Sequence, residues 1–399
     1  MLKLAYVTAA DAEIADTWLQ RNLSEGGKPV LLAEAADLGF LEALAQRFGL
    51  QHFVLPGAPH WPEALSLRPL LARINDRGAE AAFLCAPVPF GMVFRSNEIV
   101  PSWVEHFGAV RVLHELGVRN FEFVAGDATH RAQIPYLVDN LIDRHKGQRA
   151  FIVGNGPSLR QTDMSLLKDE ITFGSNRCFL GYEDWGYAFK YWGISDRLQI
   201  EMYQEEYEQG IDRDSIKFFP FEYLNFLRVT NACPIPVVSD LRFGSPTSLR
   251  FPYFAETPST VFNAFTVTIT LIQIAAMMGC NPIVLVGVDH SYPIARAKRR
   301  GQGEAAAINL TPLVPPEDLV RQSKLGWDFW EGNAATGATH FTNAYSSNKV
   351  FVPPRTAWAE TAFEYCRLWG ERYGVQIVNA TIGTHLTSLR RVDFNSLWR

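Results

Sequence analysis

The sequence predicts an α/β protein built as two successive domains with mainly parallel sheets. Three observations predict it. Short apolar runs alternate with helical patterns from the first residues onward. A polar stretch, His145-Lys146-Gly147-Gln148-Arg149, interrupts the series. A second series of the same kind begins at RAFIVGNGPSL. Strands separated by helix-length segments must cross over between neighbours, which favours parallel pairing.

In the first series, residues 2–7, 29–35, 52–56, 81–87 and 121–126 read as strands. The segments 10–23, 39–48, 61–77, 100–116 and 134–144 read as helices. Residues 1–146 therefore form one Rossmann-like domain, a candidate acceptor-binding unit. In the second series, residues 150–153, 171–176, 189–195 and 215–221 are strands. Val261–Met278 is a long helix. PIVLVGVD at 282–289 is the most hydrophobic strand of the chain, Ala357–Tyr373 an amphipathic helix, and 375–381 a last strand. Residues 147–399 form the second Rossmann-like domain. Residues 293–335 have no clear period and are long for a loop; such segments are usually functional lids or disordered.

Composition narrows the function. The chain has 399 residues, 47% hydrophobic and 20% charged, with a net charge of -5 and ten Trp. That is an ordinary globular balance. It lacks the basic excess of a nucleic-acid binder. Five cysteines, at 85, 178, 233, 280 and 366, are widely spaced. They suggest neither a disulfide framework nor a zinc cluster, and a reducing compartment is the simplest reading. The first residues lack a signal-peptide pattern, and no apolar run is long enough to span a bilayer. The expectation is a cytoplasmic protein with no span; a homo-oligomer is compatible with it.

The chemistry-bearing motifs lie in the second domain. GNGPSL follows a four-residue apolar strand. Gly154 and Gly156 are expected to form a tight turn with positive φ. Pro157 suits a first helical turn, Ser158 supplies a hydroxyl and Leu159 closes the motif. Main-chain N–H groups at such a turn can hold phosphate; a plain strand-to-helix turn is the bland alternative. GSNRCF places Ser175 and Asn176 at the next strand end, where ligands meet open α/β sheets. Asn176 can pair with a base or ribose, or cap a helix. Ser259 and Thr260, in TPSTVFNA, either cap the long helix or make a second anion or sugar contact. GVDHSY puts Asp289, His290 and Tyr292 directly after the central strand, and a histidine there can act as a general base. THFTNAY adds His340 and Tyr345, which a closing lid could deliver; a turn with a buried aromatic is the alternative. Asp212-Arg213-Asp214 spells DxD but follows an acidic helix and reads as a solvated turn. The basic run Arg296–Arg300 reads as a solvated loop or a meeting point for an anion.

These motifs in this order resemble the MptE-like family that includes the Maf flagellin glycosyltransferases. The resemblance rests on GNGPSL, Asp163, Leu166-Leu167-Lys168 and the Ser-Asn strand end. It continues through MMGCNPIVLVGVDHSY, HFTNAY, the helix with Trp358 and Glu360, and GVQIVNATIGTHL. It covers roughly residues 148 to 390. A more distant likeness joins the second domain to the small bacterial sialyltransferases that use CMP-sialic acid. By that likeness Asn155, Gly156, Ser158 and Asn176 would contact the CMP moiety. Ser259 and Thr260 would lie near phosphate or donor sugar, and Tyr292 near phosphate. Those enzymes work without a metal, and their catalytic histidine precedes the Ser-Gly helix start. The matching segment here, RFPYFAETPST, has no histidine. His290 and His340 stand in for it, with Glu256 behind them.

The resemblance implies transfer of a nonulosonic, sialic-acid-like or Kdo-like sugar from a CMP-activated donor to a glycan, lipid or protein hydroxyl. No tightly bound cofactor is expected. Two other classes stay open. One is a 6-hydroxymethylpterin diphosphokinase using ATP and Mg²⁺, with Asp196 and Asp289 as its carboxylates. The other is a non-catalytic nucleotide-binding module in polysaccharide assembly.

Overall fold

The computed structural model describes all residues except 56–66, 85–100, 126–127, 225, 239–260, 264, 293, 300–326, 332–337, 346–349, 352–353 and 355. The chain divides into two compact units. The first holds Met1–Leu137, Pro220–Arg228 and Ala232–Pro236; the second holds Val138–Phe219, Val229–Asn231 and Val237–Arg399.

The first unit contains strands β1 (Leu2–Val7), β2 (Val30–Glu34), β3 (His52–Leu55), β4 (Ala79–Leu84), β5 (Asn120–Ala125) and β6 (Ala128–Gln133). Its sheet order is β3-β2-β1-β4-β5-β6. All pairs are parallel except β5 with β6. Helices α1 (Ala12–Ser24), α2 (Leu38–Phe48), α3 (Arg68–Arg77) and α4 (Pro101–Glu115) connect these strands. In α1 the buried residues are Ala15, Trp18, Leu19 and Asn22. That spacing of three, four and seven puts one stripe on the core. Ala15, Trp18 and Leu19 cluster with Val7, Leu31 and Leu84 from three strands.

The sequence pattern places a helix at 134–144, and the structure differs there. β6 precedes that segment as an antiparallel edge strand, and residues 138–141 form a 3-10 turn. Asp143 takes φ +55 inside that segment, a left-handed conformation that an α-helix cannot contain. β6 itself, ATHRAQ, is too polar to register as a strand by hydrophobic period. The strand β11 (Ala232–Ile235) is counted with this unit.

The second unit contains β7 (Ala150–Val153), β8 (Ile171–Ser175), β9 (Tyr191–Gly193) and β10 (Ile216–Pro220). The two-residue strands β12 (Val237–Val238) and β13 (Val261–Phe262) pair in parallel. β14 (Ile283–Val286), β18 (Ile377–Asn379) and β19 (Arg390–Arg391) complete the main sheet. Its order through this unit is β10-β9-β8-β7-β14-β18-β19, parallel at every pair. Strands β7 and β14 are buried at all four positions each. Helices cover both faces of such a sheet, so its strands read as continuous apolar runs.

Sequence order runs outward from β7 in one direction and from β14 in the other. The direction of winding therefore switches between these two neighbours, and ligands of open α/β sheets bind at the C-terminal edge of such a point.

Helix α5 (Val267–Met277) is buried at every residue from Val267 to Ala275. It starts later than the predicted Val261. Thr266 caps it, its hydroxyl accepting from Thr268 N at 3.3 Å. Helix α6 is Thr356–Tyr373. Part of the expected lid is ordered as a ribbon. β15 (Ile294–Arg299), β16 (Trp327–Glu331) and β17 (Val350–Phe351) pair antiparallel, with Lys298 opposite Asp328 and Phe329 opposite Phe351. Among the described residues no helix is long and apolar enough to cross a membrane.

Candidate functional site

The GNGPSL turn sits at the switch point of the second unit. β7 and β14 end level, with Val153 opposite Val286. Their main-chain pairing continues past both strand ends. Gly154 N donates to Val286 O at 2.8 Å and Gly156 N to Gly287 O at 2.9 Å. The two glycines are required by this close approach, not by positive φ as the sequence suggested. Gly156 has φ -70, and Gly154 is not among the positive-φ residues. A Cβ on Gly154 would stand 2.3 Å from Gly287 O, and one on Gly156 1.8 Å from Asp289 Oδ2.

The expected helix start is a five-residue 3-10 turn, Pro157–Gln161. It is too short to carry a helix macrodipole. Its leading donors are already used. Ser158 N donates to Asp289 Oδ1 at 3.0 Å, and Ser158 Oγ donates to Asp289 Oδ2 at 2.6 Å. The Asp289 carboxylate thus occupies the anion position at this turn. Burial raises its pKa; the two Ser158 bonds and the charge of nearby His340 oppose that rise. Leu159 is buried against Gly287.

At the end of β8, Asn155 reaches across to the next strand. Its Nδ2 donates to Ser175 O at 3.0 Å and lies 3.2 Å from Ser175 Oγ. A carbonyl accepts only, so the amide orientation is fixed and Oδ1 faces away. Asn176 takes φ +48, with its N–H on Gly193 O and its carbonyl on Trp192 Nε1 at 2.7 Å. It is not a helix cap. Asn155 Oδ1 and Asn176 Oδ1 are both buried, and neither has a hydrogen-bond partner.

After β14, His290 adopts φ +56. Its Nε2 lies 3.1 Å from Thr356 O and 3.3 Å from Glu360 Oε2, and its ring packs edge-on against Phe363. Burial lowers its pKa below 6.5, and Glu360 opposes the shift. Tyr292 follows, half-buried.

The segment 338–345 docks directly on the turn. Phe341 N donates to Asn155 O at 2.9 Å, and Arg160 Nε donates to Phe341 O at 2.6 Å. Arg177 donates to Tyr345 O and pairs with Glu206. Its guanidinium lies over the Tyr203 ring at 4.6 Å and the Tyr345 ring at 5.7 Å. His340 stacks on Tyr345, 3.7 Å between centroids and 9° between planes, with Nδ1 3.2 Å from Thr339 Oγ1.

The fold thus gathers Gly154–Leu159, Ser175, Asn176, Asp289, His340 and Tyr345 around one edge. Asp196 is elsewhere in role: it is exposed and caps the short helix Arg197–Met202, accepting from Gln199 N at 3.4 Å. Asp212 closes the DxD turn by accepting from Asp214 N at 2.8 Å. Among the described residues no three His, Cys, Asp or Glu side chains converge to hold a metal. Ser259, Thr260 and Glu256 lie outside the described residues, as does Arg300. Ser259 and Thr260 do not cap α5, because it begins at Val267.

Sequence reading missed Arg160, Arg177 and the linking role of Glu360. Arginines that bond main-chain carbonyls more than a hundred residues away leave no local pattern.

Comparison with known proteins gives little beyond this geometry. No family model and no curated protein matches the chain. A solved structure of a Maf glycosyltransferase from Magnetospirillum magneticum AMB-1 is similar to it at 12% identity and a TM-score of 0.34. The match covers 99% of this chain and 58% of that one.

Proposed function

We propose that the second unit is a glycosyltransferase that moves an acidic sugar, sialic-acid-like or Kdo-like, from a CMP-activated donor to a hydroxyl of a glycan, lipid or protein. The observation that carries this reading is the pair of buried, unpartnered oxygens Asn155 Oδ1 and Asn176 Oδ1 beside the switch point. Buried acceptors are nearly always paired. A ribose diol or a base amino group would supply the missing donors. The choice of CMP rests on the motif resemblance.

In this reading the glycine turn shapes the crevice wall. Ser158 and Asp289 already satisfy each other, so the leaving phosphate is assigned to Tyr292. An imidazole, His290 or His340, accepts the acceptor's proton. The first unit is proposed to bind the acceptor.

A thermal-shift panel tests the reading. Stabilisation by CMP without Mg²⁺ is expected. Stabilisation by ATP only with Mg²⁺ would replace it with a diphosphokinase, and no response to any nucleotide would sink it.

A further inference from the structure

The His290 side chain is held in one tautomer. Its Nε2 lies 3.1 Å from Thr356 O. That carbonyl can only accept, so Nε2 carries the hydrogen. In the neutral ring the lone pair is then on Nδ1. Glu360 Oε2 lies 3.3 Å from the same Nε2.

Glu360 is in turn fixed from the opposite side. Its Oε1 accepts from Thr387 N at 2.8 Å, Thr387 Oγ1 at 2.7 Å and Ser388 N at 2.6 Å. A carboxylate anchored by three donors sets the direction of the imidazole it meets. His290 itself holds φ +56, an uncommon conformation for a residue with a Cβ. Such positions persist where surrounding contacts over-determine them and cluster at functional sites.

We infer that His290 and Glu360 form a base–orienter pair, in which Glu360 is a positioning residue that fixes the Nε2–H tautomer and leaves Nδ1 as the proton acceptor. This rests on the transferase reading and chooses His290 over His340, whose ring is instead stacked flat on Tyr345.

The step balances as follows. The acceptor hydroxyl oxygen forms a bond to the anomeric carbon of the donor sugar. The bond from that carbon to the phosphate oxygen breaks, and its electron pair leaves with CMP. The hydroxyl proton moves to His290 Nδ1. The resulting imidazolium strengthens the contact that Nε2–H already makes with the Glu360 carboxylate, because the ring now carries a positive charge. Burial keeps the ring neutral before the step. The titratable groups acting on it are Glu360, which favours its protonation, and His385, which disfavours it.

Two measurements test the pair. The first is ring ¹⁵N NMR of the full chain. An Nε2–H neutral tautomer at pH 7 is expected, with Glu360→Gln lowering the His290 titration midpoint further. An Nδ1–H tautomer, or a midpoint unmoved by Glu360→Gln, overturns the inference.

The second is turnover of CMP-sialic acid. His290→Gln keeps a side-chain N–H for Thr356 O but has no basic nitrogen. It should bind CMP like the wild type and lose on the order of 10²- to 10⁴-fold in turnover, the usual contribution of a general base. Wild-type turnover in this variant overturns the pair. If the wild-type chain turns over no CMP-sugar, the transferase reading falls, while the NMR result still decides the pairing.

Discussion

Ser158 gives both its main-chain N–H and its hydroxyl to the two oxygens of the Asp289 carboxylate. The two residues are separated by 131 positions in the chain. They tie the turn after β7 to the loop after β14 at the point where the sheet reverses its winding. A carboxylate here does what a bound anion would do: it satisfies donors that the short 3-10 turn leaves open. The turn is therefore closed by its own chain, and beside it, among the described residues, the buried side-chain atoms left without a partner are the acceptors Asn155 Oδ1 and Asn176 Oδ1 and the donor Arg177 Nε.

Gly156→Ala should test how tightly that turn is packed. The added methyl would meet Asp289 Oδ2 at 1.8 Å and Gly287 O at 2.8 Å, and the second of these is main chain. Overpacking of this kind costs about 1–3 kcal/mol. A lower urea midpoint with unchanged m is expected; a wild-type midpoint would show that the loop after β14 yields freely.

Ser158→Ala removes one of the two donors while leaving the turn's backbone alone. A half-buried carboxylate that loses a hydroxyl donor should cost about 1 kcal/mol. Chemical denaturation at pH 7 measures it. Asp289→Ala in the same background should then cost less than in the wild type, because the partners are coupled.

His290 should make stability depend on acid. Burial places its folded pKa below the unfolded value of 6.5. Between those two values the unfolded chain binds the extra proton, so stability rises with pH in that window. Its contribution is complete above 6.5 and declines as pH falls through the folded pKa. His145 is shifted in the same direction and contributes in every variant. The difference between wild type and His290→Gln isolates the effect: the wild type should lose more stability from pH 7.5 to 5.5. Parallel curves would contradict it.

Arg177→Lys should loosen the segment 338–345. A lysine cannot bond Tyr345 O and Glu206 at once while stacking on Tyr203 as a planar fork does. Faster amide exchange at Phe341 and Tyr345 is expected, with the β7 amides unchanged. Equal protection in both proteins would show that Asn155 and Arg160 hold the segment by themselves.

Asn176→Gly should separate ligand contact from backbone need. Glycine accepts φ +48 without strain, so the fold should hold while the Oδ1 acceptor is lost. In calorimetric titration, CMP affinity is expected to drop about ten-fold, the loss of roughly one well-made hydrogen bond. Unaltered affinity would remove Asn176 from the proposed contact set.

The sequence by itself determined the alternation of strands and helices, and with it two parallel-sheet units. The reason is that both depend on short-range periods, visible in runs such as AFIV, IVLV and the Ala15–Trp18–Leu19–Asn22 stripe. It also marked the turn after β7 and the loop after β14 as the places to look, because glycine and clustered polar residues stand out after buried strands. It misplaced the segment after β5, where Asp143 turns left-handed within the expected helix and a polar edge strand has no hydrophobic signature.

Only the tertiary structure decided what the glycines are for. A positive-φ turn and a close main-chain approach demand the same residue, and the difference lies in Gly287 and Asp289, far along the chain. It also decided that the Ser158 donors belong to Asp289, that His290 answers to Glu360, and that two asparagine oxygens are left unpaired. The first is a contact across the switch point, the second joins the loop after β14 to α6, and the third lies where β7 and β8 end side by side. Such contacts are set by sheet order and register, which no local pattern encodes.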